Sequence, residues 1–262
     1  MSMFMIEIEK VLKQLRLSGA QATLETRIVE SQARDLPFLE TFSLVLQDEL
    51  DRRRSRLLER RYQCSGLPER MSLEEFDWGF NPKIPKRDCF ELNTLKFIAE
   101  GANPILIGPP GTGKSHIVKA IAYAAIRTGF FVLYREADEL LAQIAQTTDA
   151  TARRRILNPV LEADLLVLDD LFLARKMAID SADDLQSILH KRYKRNLSTV
   201  ITSNRPVADW GKYLGDTALA STILDRLMHR SRLMEFRGRS YRLKEAALKL
   251  AEARDSGQLD SN

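Results

Sequence analysis

Asn103-Pro-Ile-Leu-Ile-Gly-Pro-Pro-Gly-Thr-Gly-Lys-Ser115 is the stretch on which the reading of this chain turns. Ile105 to Ile107 is a short apolar run with β-branched residues at both ends, which suits a buried strand. Gly108, Pro109, Pro110, Gly111, Thr112, Gly113, Lys114 and Ser115 then match G-x-x-x-x-G-K-[ST] without a gap. His116 follows and opens an Ala-rich, apolar run spaced for a helix. In such a strand–loop–helix, glycines let successive N–H groups turn inward around a phosphate, and the helix start adds unpaired amides and a positive end. Lys114 is expected to reach the β/γ-phosphates, and the Ser115 hydroxyl to ligate Mg²⁺. The cofactors expected are therefore ATP and Mg²⁺, with Gly108 to His116 as the nucleotide-binding segment. A chance Gly-rich turn is the competing reading, and the flanking strand and helix count against it.

Outward from this stretch, the chain alternates strands and helices, the pattern of an α/β domain with a parallel sheet between helices. Phe130 to Tyr134 reads as a strand and Glu136 to Gln146 as a helix; the next helix carries Arg153, Arg154 and Arg155 in a row. Asp164-Leu-Leu-Val-Leu-Asp-Asp170 is an apolar strand that ends in two acids. Paired carboxylates at the end of a buried strand repel and are costly to desolvate, and an Mg²⁺ beside a triphosphate explains them. Asp169 would hold the metal through water and Asp170 would polarise the attacking water. After the helix Asp183 to Lys194, Ser198 to Asn204 is a further apolar strand. If both strands are parallel, Asn204 emerges beside Asp169 and can position water or sense the γ-phosphate; a plain turn at Asn204-Arg205-Pro206 is the alternative. Leu219 to Met228 reads as a helix containing Arg226, which is a candidate catalytic arginine or the partner of an acid. Arg232 to Phe236 and Ser240 to Leu243, either side of Arg237-Gly238-Arg239, look like a terminal hairpin, and Lys244 to Ala253 like a last helix.

Toward the N-terminus the pattern is helical throughout. Ile6 to Leu17, Ala20 to Ala33 and a longer segment from about Pro37 read as three helices. On the third, Arg52, Arg56 and Arg60 recur at i, i+4 and i+8, with few acids nearby. This stripe is either a solvated face or a surface for DNA phosphates. Gly66-Leu67-Pro68, Asn81-Pro82 and Pro85 mark a connector in which Phe76, Trp78 and Phe80 alternate. The domain order expected is thus a helical unit over 1–66, a connector over 67–85 packing on the core, an ATPase core over 86–253 and a tail over 254–262.

Composition sets outer bounds. With 262 residues, 44% apolar and 29% charged, the chain has the make-up of an ordinary soluble protein with one sizeable core. No run approaches a membrane span and the first residues lack the order of a signal peptide, so no membrane association and a cytoplasmic location are expected. Cys64 and Cys89 have no ligand-like neighbours and suit free thiols in a reducing compartment. The three histidines show no metal-ligand spacing, and no Ser-His-Asp or Cys-His arrangement can be argued.

Together these segments resemble the AAA+ ATPases, and within them the IstB-like family, ATP-binding helpers of bacterial insertion-sequence transposition related to DnaC and DnaA. The resemblance covers nearly the whole chain. It is carried by LKQLRLSGAQATLETRI (Leu12 to Ile28), LEEFDW (Leu73 to Trp78) and LNTLKFIAEGANPILIGPPGTGKSH (Leu92 to His116). TVITSNRPVADW (Thr199 to Trp210), ILDRLMHRS (Ile223 to Ser231) and GRSYRLKE (Gly238 to Glu245) complete it. By position it implies Gly108 to Ser115 as Walker A, Asp169 and Asp170 as Walker B, Asn204 as sensor 1, and Arg226 as an arginine finger acting in trans. The helix of Arg153 to Arg155 falls where DnaC and DnaA carry an insertion that touches nucleic acid. No separate helical lid is expected after the core, so Arg242 is not assigned to the site. The function implied is an ATP-hydrolysing regulator of transposition with double-stranded DNA, a cognate transposase and further copies of itself as partners. A DnaC-like helicase loader, or a DNA-binding adaptor with a structural nucleotide, is the alternative.

Overall fold

The computed structural model describes residues 3–173, 179–214, 221, 223–225, 227 and 231–255. The chain divides into two compact units, Met1–Arg61 and Tyr62–Asn262.

The N-terminal unit holds helices α1 (Met3–Gln14) and α2 (Ser18–Arg34) and most of α3 (Phe38–Ser65). Gly19 lies so close to the α3 backbone that a side chain there would overlap Glu49. The Glu49 carboxylate accepts from the amides of Gly19 (2.5 Å) and Ala20 (3.2 Å), so one acid of α3 caps the free N–H groups at the start of α2. Burial pushes the Glu49 carboxyl up, but Arg53 and these two amides outweigh it and hold it below the ordinary range. Arg27 adds a two-pronged pair to Asp48, with both nitrogens at 2.8 Å. The unit is therefore joined by charged contacts as much as by apolar ones.

The second unit is a parallel five-stranded sheet in the order β2-β3-β4-β1-β5. Its strands are β1 (Asn103–Ile107), β2 (Val132–Glu136), β3 (Leu165–Leu171), β4 (Ser198–Ser203) and β5 (Ser231–Glu235). The helices between them are α6 (Lys114–Thr128), α7 (Ala137–Gln146), α8 (Ala150–Glu162), α9 (Ile179–Lys194) and the short α10 (Trp210–Leu214). Strands buried on both faces read as continuous apolar runs, and Ile105, Leu133, Leu166, Leu168 and Ile201 form the centre of the core with Leu140, Leu185 and Trp210. Arg192, at the end of α9, is almost wholly buried. It donates to the carbonyls of Val160, Ala163 and Ser198 and to the Thr199 hydroxyl, which satisfies the backbone where α8 and α9 meet the sheet. Among the described residues no helix is long and apolar enough to cross a membrane.

Ahead of β1, α4 (Lys86–Asn93) ends and α5 (Lys96–Ala99) begins around Leu95, whose φ of 63° breaks the turn. One expectation from the sequence is corrected: the C-terminal hairpin does not form. β5 pairs in parallel with β1, from Asn103 opposite Ser231 to Ile107 opposite Glu235, as the last strand of the sheet, and the segment after it is helical rather than a return strand. Ser240 then starts helix α11 (Tyr241–Asp255), its hydroxyl accepting from the Leu243 amide.

Candidate functional site

β1 lies inside the sheet, and the chain leaves it on one side for β2 and returns on the other as β5. Such a switch in strand order opens a crevice at the carboxyl ends of the strands, where ligands bind in open α/β sheets. Gly108 leaves β1 with a φ of 152°, and any side chain there would overlap the Phe236 carbonyl. Gly113 precedes α6 with a φ of 98° and lies under the Phe76 ring. These positions require glycine, and the bend they make turns the first amides of α6 toward the crevice. Lys114 is only 4% exposed and donates to the carbonyls of Gly108 (2.7 Å) and Pro109 (3.0 Å). Burial pulls its ammonium below the ordinary value, against Asp170 and Asp169, which favour the charge.

β3 and β4 run in register until Leu168 faces Ile201, after which Leu171 faces Ser203. Three steps on β3 match two on β4, so one residue bulges out of the ladder. That residue is Asp170, with a φ of 52°, a conformation rarely held by a residue other than glycine. Its amide donates to the Thr202 hydroxyl (2.8 Å) instead of to a strand carbonyl. Asp169 remains 3% exposed within the sheet edge and accepts from Ser115 (3.2 Å), Thr202 and Tyr134. Burial and Asp169 hold the Tyr134 phenol far above its ordinary pKa, which keeps it a donor. Burial and then Asp169 raise the Asp170 carboxyl, opposed by Lys114 and Arg242. The two acids thus play different parts. Asp169 is fixed by hydroxyls and Asp170 faces the cavity.

That cavity, about 490 Å³, is lined by Lys114, Ser115, Asp170, Asn204, Arg242 and Glu245 among others. Among the described residues the buried Asn204 Oδ1 has no hydrogen-bond partner, an unmet acceptor at its wall. A second cavity of about 280 Å³ shares Gly113, His116, Tyr241 and Glu245 with it and is lined by Phe76 and Phe80. A polar chamber joined to an aromatic one fits a triphosphate with a base. One carboxylate and one hydroxyl, Asp169 and Ser115, are both hard oxygen donors and suit Mg²⁺, which usually takes few protein ligands beside substrate phosphates. No cluster of three or more His, Cys, Asp or Glu able to hold a metal alone occurs among the described residues.

The family described as IstB-like ATP binding protein matches residues 10–249 of this chain. The chain belongs to that family. A protein named for ATP binding in insertion sequence IS21 of Pseudomonas aeruginosa is 34% identical over 241 residues, covering 92% of this chain and 90% of that one. Another, named for ATP binding in insertion sequence IS5376 of Geobacillus stearothermophilus, is 29% identical and covers 84% and 87%. Among solved structures, DnaI superposes with a TM-score of 0.54 at 23% identity, over 65% of this chain and 90% of that chain. DnaA from Aquifex aeolicus bound to AMPPCP gives 0.53 at 25% identity, over 71% and 56%. The core therefore has an AAA+ fold.

Within this IstB-like chain the structure brings Lys114, Ser115, Asp169, Asp170 and Asn204 to one sheet edge, with Pro110, Gly111, Gly113 and His116 in the same cavity wall. Pro109 and Thr112 belong to the loop itself, joined by a 2.8 Å bond from the Thr112 hydroxyl to the Pro109 carbonyl. His116 faces the Ser72 carbonyl at 3.0 Å and the edge of Phe76. Arg226 lies outside the described residues. Arg52, Arg56 and Arg60 are exposed on α3 in the N-terminal unit, where Arg56 also reaches the Ser18 hydroxyl at 2.9 Å. Arg154 and Arg155 are exposed on α8, whereas Arg153 is turned inward, donating to Asp184 (2.5 Å) and to the Ile144 carbonyl (2.8 Å).

Three residues of the site were not found by sequence reasoning. Tyr134 and Thr202 sit inside apolar strand patterns, and only the strand order β2-β3-β4 reveals that both flank Asp169. Arg242 is brought in by α11, which is anchored over the loop by the Tyr241 amide bonding to the Gly111 carbonyl at 2.8 Å. The Asn81 side chain holds the preceding turn, donating to the Arg239 carbonyl and accepting from its amide, each at 2.9 Å. The Ser-Tyr-Arg order at 240–242 is a helix start, and that was the available signal.

Proposed function

We propose that this protein is an Mg²⁺-dependent ATPase that assembles on double-stranded DNA and recruits or stimulates the transposase of the same insertion sequence. The observation that carries the reading is the convergence of Lys114, Ser115, Asp169, Asp170 and Asn204 at one sheet edge, in a family whose relatives are named for ATP binding in insertion sequences. In this mechanism Lys114 leaves the Gly108 and Pro109 carbonyls for the β/γ-phosphates, where its charge is better matched. Ser115 and Asp169 would hold Mg²⁺, which supplies electrostatic relief for the phosphate oxygens. Asp170 orients and polarises the attacking water, Asn204 fixes that water or the γ-phosphate, and Arg242, which lines the same cavity, adds a cation for the phosphate chain. Phe76 and Phe80 offer apolar faces to the base.

DNA binding is inferred from exposed arginines with few acids nearby, which suit phosphates better than base edges. The turned-in Arg153 leaves Arg154 and Arg155 as the exposed members of their cluster. The test is fluorescence anisotropy of labelled duplex DNA across a salt series, with ATP, ADP or no nucleotide. Binding should be tightest with MgATP and largely independent of sequence. Each lost phosphate contact lowers the slope of log K against log salt by about 0.9. Neutralising Arg52, Arg56 and Arg60 together should therefore flatten it by about 2–3, and Arg154 with Arg155 by about 1–2. An unchanged slope in both variants would return these residues to a solvated surface, and equal affinity in all nucleotide states would remove the coupling to ATP. The helicase-loader reading has the likeness to DnaI and to DnaC (TM-score 0.50 at 22% identity) in its favour, but at that identity the likeness concerns the fold alone.

A further inference from the structure

We infer that Thr202 is a positioning residue of the ATPase site, its single hydroxyl setting both carboxylates of the Asp169–Asp170 pair. This rests on the nucleotide-site reading above and adds to it a residue on a different strand. Thr202 is fully buried on β4, between β3 and β1, two residues before Asn204. Its Oγ1 donates to Asp169 Oδ1 and accepts from the Asp170 amide at 2.8 Å, so both hydrogen-bonding roles of the hydroxyl are used. The two bonds have separate effects. The first, with Ser115 on the same oxygen and Tyr134 on Oδ2, leaves the Asp169 carboxylate no freedom to rotate.

The second bond replaces the ladder bond that Asp170 gives up at the bulge. With φ at 52°, Asp170 holds a backbone state that persists only where its surroundings over-determine it. Without the Thr202 oxygen its amide would be left unpaired inside the protein, and the bulge would lose the contact that favours it. A regular strand would turn alternate side chains to opposite faces, so losing the bulge would also re-aim Asp170. Thr202 thereby links the metal carboxylate, the water carboxylate and Asn204 through one strand end. Ser203, its neighbour, donates instead to the Leu171 carbonyl at 2.7 Å, closing the ladder just beyond the bulge.

The test compares Thr202→Val, which keeps the shape and removes the hydroxyl, with Thr202→Ser, which keeps the hydroxyl and removes the methyl. ATP affinity is measured by calorimetry in EDTA and across a Mg²⁺ titration, alongside steady-state turnover. In Thr202→Val, metal-free affinity should stay within about threefold of the parent, while the gain in affinity from Mg²⁺ and kcat should each fall about 10–100-fold, the usual cost of losing a residue that orients a metal ligand. KM should move much less than kcat. Thr202→Ser should recover most of both losses. A merely structural threonine would lower melting temperature without separating metal-free from metal-dependent binding, and serine would not rescue it. If valine alone disturbs folding, Thr202→Ala provides a second deletion of the hydroxyl and should show the same separation of metal-free from metal-dependent binding. Thr202→Val with parental Mg²⁺ dependence and turnover would overturn the assignment, as would serine impaired as deeply as valine. If the unaltered protein itself gained nothing from Mg²⁺, the nucleotide-site reading would fall first and this one with it.

Discussion

Arg226→Ala should bind ATP nearly as well as the parent and hydrolyse it about 10³-fold more slowly, the lower end of what an arginine finger is worth in nucleotidases. Ground-state binding is proposed to rest on the Gly108 to Ser115 loop, whereas a finger acts on charge that develops only in the transition state. The lower end is expected because Arg242 already stands in the cavity wall and contributes a cation from the same chain. Arg226 is proposed to act on the nucleotide of a neighbouring copy, from its place in Ile223-Leu-Asp-Arg-Leu227. Mixing supplies the test. Arg226→Ala and Lys114→Ala should each be nearly inactive alone. Some interfaces in a mixed assembly would join an intact loop from the first to an intact arginine from the second and regain part of the activity. Mixtures shown by crosslinking to be co-assembled, yet still inactive, would remove the trans role.

Lys114→Ala is the second large effect. The ammonium is buried beside two carboxylates and donates to two loop carbonyls. Removing it should leave the fold standing, since burial already acts against its charge. It should still weaken ATP binding by about 10–100-fold, the loss of a charge-assisted bond worth about 1.5–3 kcal/mol. Calorimetry together with a thermal melt separates the two. Unchanged ATP affinity would show that the loop does not hold the phosphates. A collapsed melting temperature would show that Lys114 is a structural residue.

Much of this site was legible from the residues because its chemistry is local in the chain. Gly108 to Ser115 form one loop, and Asp169-Asp170 and Asn204 each end an apolar run, so spacing alone put them at strand ends. The bulge was not legible: nothing in Leu165-Leu-Val-Leu-Asp-Asp-Leu171 distinguishes a regular strand from one with Asp170 displaced, because the displacement depends on a hydroxyl from β4. Tyr134 was hidden for a similar reason, as its partner comes from the adjacent strand. The C-terminal segment misled because Arg232 to Phe236 has strand character but finds a parallel partner, β1, a hundred residues upstream and more. The arginine rows were the least legible of all. Arg153, Arg154 and Arg155 are alike in sequence, and it is the positions of Asp184 on α9 and of the Ile144 carbonyl that turn the first inward.

The most direct test is the release of phosphate from MgATP by the unaltered protein, with and without duplex DNA, over a range of protein concentration. The expected result is Mg²⁺-dependent turnover that rises when DNA is added and rises more than proportionally with protein, as sites completed between copies require. MgATP that stays bound and uncleaved on DNA would contradict it and leave the nucleotide as a structural ligand.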